Sequence, residues 1–121
     1  MEAALIKKFL YDFQTDRSLI NLAEKLPPEY RAQSQTALSI KKQFQLEIIE
    51  NALSTLDDRE RFVINIHLIQ HCTWPETALR YSNIYGKERE LTERTLMRIQ
   101  NKALSKLSLY LSQFDFKNLF L

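Results

Sequence analysis

Apolar residues along this chain recur mainly at helical spacing, so its elements read as amphipathic helices. Leu5, Ile6, Phe9, Leu10 and Phe13 mark a first helix over roughly residues 2–14. Thr15 or Asp16 then caps a second, which carries Leu19, Ile20, Leu22, Ala23 and Leu26 and must stop before Pro27-Pro28. From Tyr30 to Ser39 no period is visible, and 27–38 reads as a connector. Ile40, Phe44, Ile48, Ile49, Ala52 and Leu53 trace a longer helix after it.

Helix boundaries in the second half carry their own chemistry. Asp57 or Asp58 opens a helix with acidic residues facing the positive end of the helix dipole, and Phe62, Val63, Ile66 and Ile69 supply its buried face. His71-Cys72-Thr73 ends that helix. Thr73-Trp74-Pro75-Glu76 starts the next, with a threonine cap, proline in the first turn and a glutamate three residues after the cap, the pattern of a capping box. Gly86, the only glycine, is placed to stop it in a left-handed conformation. Thr92 caps a last helix over about 92–107, with Leu91 and Leu96 as a hydrophobic staple and Leu96, Ile99, Ala103, Leu104 and Leu107 as its inward stripe. The tail holds Tyr110, Leu111, Phe114, Phe116, Leu119 and Phe120, an aromatic set suited to packing on the body or on a second copy.

Composition agrees with an all-α fold. One Gly and three Pro in 121 residues leave little for hairpin turns. The single cysteine, Cys72, excludes an internal disulfide and suits a reducing interior. No signal-peptide core or transmembrane-length apolar run occurs, so a cytoplasmic protein with no membrane partner is expected. Net charge is +2 but uneven: residues 1–76 hold 9 Lys/Arg against 11 Asp/Glu, and residues 77–121 hold 8 against 4. A basic C-terminal part suits a polyanionic partner.

With Leu96, Ile99 and Ala103 turned inward, Glu93, Arg94, Met97, Arg98 and Asn101 lie toward solvent, the arrangement a major-groove helix requires. Arg94 and Arg98 are the expected base contacts, and Glu93 is a discriminator able to accept from cytosine. Arg80, Lys87, Arg89 and Lys102 are expected on phosphates.

Other conspicuous residues read as structure. His67 and His71 are four apart but lack a third ligand, and no metal or other cofactor is expected. Trp74 reads as a core anchor, Asp57 and Asp58 as capping residues, and Cys72 lacks the neighbours that activate a nucleophile. An enzyme is the least supported class.

Three strings in order support the DNA-reading expectation. They comprise Leu56, Arg59, Glu60, Arg61, Val63 and Ile64; Thr73, Glu76 and Ala78; and Arg94, Thr95, Lys102, Ala103, Leu104, Lys106 and Leu107. Together they resemble the fourth region of bacterial primary sigma factors, a helix-turn-helix that reads promoter DNA. The resemblance covers less than half the chain. It departs at Ser82–Leu91, longer than the family's turn, and at Thr77, where an aliphatic residue is usual. A short chain with an unrelated helical N-terminus and such a C-terminal half looks like the ArpU and RinA type regulators of phages and mobile elements.

The resemblance implies a small helical domain with a C-terminal sigma-region-four-like helix-turn-helix that binds double-stranded DNA as a transcriptional regulator. It also implies Thr92 and Thr95 beside the arginines at the site, with RNA polymerase as a second candidate partner. On this reading residues 1–55 form a helical N-terminal region for packing, dimerisation or partner binding. Residues 56–108 form the DNA-binding region, and 109–121 an aromatic tail for packing or for a homodimer contact. The alternatives are an interaction protein that binds polymerase or another helical partner without reading DNA, and a DNA-packaging or replication accessory protein.

Overall fold

A computed structural model describes residues 3–30, 33–86 and 93–114, apart from the side chains of 33–39. The described residues are helical and contain no strand. They form α1 (Ala3–Lys25), a short 3-10 turn (Pro28–Tyr30), α2 (Gln33–Leu53), α3 (Asp58–Val63), a π-helical segment (Ile64–Ile69), α4 (Trp74–Tyr85) and α5 (Glu93–Leu111).

α1 is one helix where the sequence suggests two. The Asp16 carboxylate accepts from Lys42 Nζ at 3.3 Å instead of capping, and Arg17 pairs with Glu50, so the expected break is stitched to α2. As expected, the helix ends just before Pro27-Pro28. α2 begins at Gln33, so half of the expected connector, 33–38, is α-helical: its Gln and Ala residues tolerate a helix that an apolar period does not announce. Beyond Phe13, ion pairs from Asp16 and Arg17 link α1 to α2, and of its apolar residues there only Ile20 is buried, while Leu19 and Leu22 are each 59% exposed.

The start of α3 is a full capping box. Asp57 Oδ1 accepts from the Glu60 N–H at 2.8 Å, and Glu60 Oε1 accepts from the Asp57 N–H at 3.1 Å. The Glu60 N–H is the main reason the Asp57 carboxyl titrates below its ordinary range. From Ile64 the helix widens to π geometry, and Gln70 N–H reaches Asn65 O at 2.9 Å. The extra residue in the turn lets Ile64, Ile66, Leu68 and Ile69 all be buried, a wider face than a 3.6-residue period predicts. His71 then reverses the chain at φ 61, held by stacking on Tyr11 (3.7 Å between centroids) and by Nε2 against the Tyr11 carbonyl at 2.6 Å.

Thr73 caps α4 by accepting from the Glu76 N–H at 3.3 Å, but the reciprocal half of the box is replaced: the Glu76 carboxylate takes Arg80 instead. Thr77 is fully buried, and its hydroxyl donates to Thr73 O at 2.8 Å, which makes a polar residue tolerable in an apolar position. Gly86 ends α4 at φ 88, as expected, although its ψ of 156 lies in an extended region open to glycine and not in a left-handed turn. The expected staple and cap at Leu91 and Thr92 lie outside the described residues.

Two apolar clusters hold these helices. One joins Ile6 and Leu10 of α1, Ile49 and Ala52 of α2, Ile64, Leu68 and Ile69 of the π segment, and Ala103, Leu104, Leu107 and Leu111 of α5. The other joins Val63, Tyr81 and Leu96, with Phe62, Trp74, Ala78 and Ile99 against them. α5 enters both. It runs to Leu111, past the expected end, because Leu107 and Leu111 are buried; Tyr110 packs on the first cluster and Phe114 is half-buried.

Leu107 is fully buried in the first cluster, so Leu107→Ala is expected to cost about 2–5 kcal/mol. Trp74 fluorescence and helical circular dichroism should lose the same amount in urea titrations. Separate transitions by the two probes would show that the clusters unfold independently.

Candidate nucleic-acid interface

The surface to be judged is the outer side of α5, and what makes it rigid is the inner side. Leu96, Gln100, Ala103, Leu104, Leu107 and Leu111 are buried along one stripe. Lys106 anchors the helix laterally, its ammonium donating to Glu60 Oε1 at 2.6 Å, which raises the lysine above its ordinary pKa. Glu60 is itself buried, so the first turn of α3 and the middle of α5 are joined through one carboxylate. Its side-chain relative exposure is 3% against 41% for Lys106, which leaves the cation able to draw on solvent while the acid depends on its partners.

Opposite the stripe, Glu93, Arg94, Met97, Arg98, Asn101 and Lys102 are exposed, and Thr95 is half-buried. Among the described residues, Arg94, Arg98 and Lys102 form no ion pair, so these three cations on one helix face are electrostatically uncompensated at close range. No carboxylate occurs in α5 after Glu93.

Arg80 is different. Its guanidinium donates to Gln70 Oε1 at 3.2 Å and to Glu76 Oε1 at 3.1 Å, bracing α4 against the turn before it. Lys87, Arg89 and Thr92 lie outside the described residues. The structure thus gathers Glu93, Arg94, Arg98 and Lys102 on one exposed face with Thr95 at its margin, and sets Arg80 on the neighbouring α4.

His67 and His71 do not converge. Each stacks on a different aromatic ring, His67 on Trp74 at 3.6 Å and His71 on Tyr11. Among the described residues no group of three His, Cys, Asp or Glu side chains is arranged to hold a metal, and no helix is long and apolar enough to cross a membrane. Trp74 is half-buried against the second cluster, the anchoring place expected of it.

Sequence reasoning missed Glu60 as a buried link, because its role depends on a lysine 46 residues away. The Asp57-x-x-Glu60 spacing was the available signal for the capping box. Compared with known proteins, the chain matches no family model, no curated protein and no solved structure.

His67 titrates below the ordinary histidine value, first because burial disfavours the imidazolium, with the Lys7 charge acting the same way and the Nδ1 contact to Cys72 O opposing both. The unfolded chain therefore takes up its proton first as pH falls through about 6.5, and stability drops from there down to the folded pKa. Urea midpoints should fall between pH 7.5 and 5.5 in the wild type. They should fall less in His67→Phe, which keeps a ring on Trp74; equal falls in both would remove His67 as the cause.

Proposed function

We propose that this chain is a sequence-specific DNA-binding transcriptional regulator that lays the N-terminal half of α5 in the major groove. The observation that carries the proposal is the outer face of α5: Arg94, Arg98 and Lys102 are exposed and, among the described residues, without an ion pair, on a helix whose opposite stripe is clamped in two clusters. A reading helix must hold its side chains to within a fraction of a base step, and rigidity of this kind supplies that. The resemblance of residues 56–107 to the fourth region of primary sigma factors points the same way. It suggests a regulator of phage or mobile-element origin that acts in the cytoplasm, with RNA polymerase as a second partner.

The mechanism is binding without chemistry. Lys102 and its neighbours displace counterions from phosphates, an energy that depends on salt and not on sequence. Arg94 and Arg98 present planar forks that match guanine O6 and N7, and Glu93 accepts from cytosine N4 while repelling misplaced phosphate. Arg80, already held by Glu76 and Gln70, offers its remaining N–H groups to the backbone in a fixed orientation.

A second reading is favoured by one observation. Leu19 and Leu22 of α1 and Ile40 and Phe44 of α2 are all more than half exposed, which suits a protein partner. On that reading the chain binds polymerase or another helical protein and reads no DNA.

Selection of duplexes from a random pool at about physiological salt separates the two, because nonspecific affinity fades there. The wild type is expected to enrich one motif, and Arg94→Ala/Arg98→Ala to lose it. Arg98→Ala alone should cost about 1–3 kcal/mol at that motif and relax one position. No enrichment by the wild type would transfer the conclusion to the protein-binding reading.

A further inference from the structure

The polar line on α5 continues past the residues assigned to base reading. Arg94, Arg98, Asn101, Ser105 and Ser108 are spaced by three or four, so they follow one side of the helix. Along its second half this line borders a concavity of about 420 Å3, whose opposite wall is the beginning of α1. Ala3 and Lys7 stand there facing Asn101, Leu104, Ser105 and Ser108.

Among the described residues, the charges on the two elements that line this concavity are of one sign along the stretches that border it. α5 carries no carboxylate from Arg94 to Leu111, and α1 carries none from Ala3 to Leu10, where Lys7 and Lys8 lie. Lys7 is exposed and, among the described residues, pairs with no carboxylate. Lys106, by contrast, is engaged by Glu60. A concave site lined by an ammonium with no carboxylate partner among the described residues and by the Asn101 amide suits the oxygens of a phosphodiester, while the Ser105 hydroxyl beside them is spent on Asn101 O at 3.0 Å.

Its position suits one as well. Ser105 is seven residues from Arg98, about 10 Å along the helix axis. The major groove is about 12 Å wide. With Arg98 at the base edges, a site 10 Å further along a helix that leaves the groove stands at the lip, where the phosphates run.

We propose that Lys7, across the concavity from Asn101 and Ser105, is a backbone-phosphate contact, so that the DNA footprint spans α5 and the first turns of α1. The assignment rests on the DNA-binding reading of α5. Lys7 positions the duplex and reads no base, so its loss weakens all sequences alike.

The test is fluorescence anisotropy of the full chain on a labelled 20-base-pair duplex of mixed sequence, titrated between 50 and 200 mM NaCl. For Lys7→Ala the slope of log K against log salt should shrink by about 0.9, so that its affinity loss across this range is about 3.5-fold smaller than that of the wild type. Lys7→Arg should restore the slope. Lys25→Ala, at the far end of α1, should match the wild type, and circular dichroism should show all variants folded. A wild-type slope in folded Lys7→Ala would overturn the assignment while leaving the reading of α5 standing. Failure of the wild type to bind the duplex even at 50 mM would overturn both.

Discussion

The burial of a single stripe of α5 in two apolar clusters is the constraint on which the rest of the structure depends. Leu96 closes the cluster with Val63 and Tyr81, while Ala103, Leu104, Leu107 and Leu111 complete the one built on α1, α2 and the π segment. A helix clamped at both ends of its apolar stripe has no freedom to roll, so the identity of its outward residues is settled at the same time. Arg94, Arg98 and Lys102 are exposed because Leu96, Gln100 and Ala103 are not.

Polar groups have been drawn into this arrangement at a cost. Gln100 is buried between the two apolar ends of the stripe, and its Oε1 has no hydrogen-bond partner among the described residues; the same holds for Glu60 Oε2. An unsatisfied buried oxygen costs on the order of 1–3 kcal/mol. For Glu60 the other oxygen gives a structural return. By accepting from the Asp57 N–H and from Lys106 together, it ties the cap of α3 to the axial position of α5. The turn before α4 is fixed in a comparable way from the other side, through the strained His71 backbone and its ring on Tyr11 of α1. α4 and α5 are therefore both referenced to the N-terminal helices.

Much of this was legible in the sequence where the cause is local. The Thr73 and Gly86 boundaries, the stop before Pro27-Pro28 and the inward stripe of α5 each follow from residues within a turn of one another. What could not be read depends on distant partners. Asp16 looks like a cap until Lys42 claims it, and Glu76 looks like the far half of a capping box until Arg80 does. The π segment is invisible because Ile64, Ile66, Leu68 and Ile69 fit a helix of ordinary pitch as a crowded face and a π turn as a natural one. At the candidate site the same division holds: the exposed arginines of α5 follow from helical spacing, whereas Lys7 can be recognised only when α1 is seen to flank α5.

Charge shows why that distinction matters for a polyanion partner. Counted along the chain, residues 1–76 are net acidic and the basic excess belongs to the C-terminal part. Folding redistributes it. The acidic groups at the start of α3 and in α4 are turned to local work, Asp57 and Glu60 at a cap and Glu76 against Arg80, while between α1 and α2 Asp16 pairs with Lys42 and Glu50 with Arg17. Lys7, from the acidic part, is meanwhile carried to the rim of the α5 face. Among the described residues, pairing these carboxylates while Lys7, Arg94, Arg98 and Lys102 form no ion pair favours a more positive field on this side than net charge alone predicts. On the proposed reading, such a field draws in a phosphate backbone before any base is read.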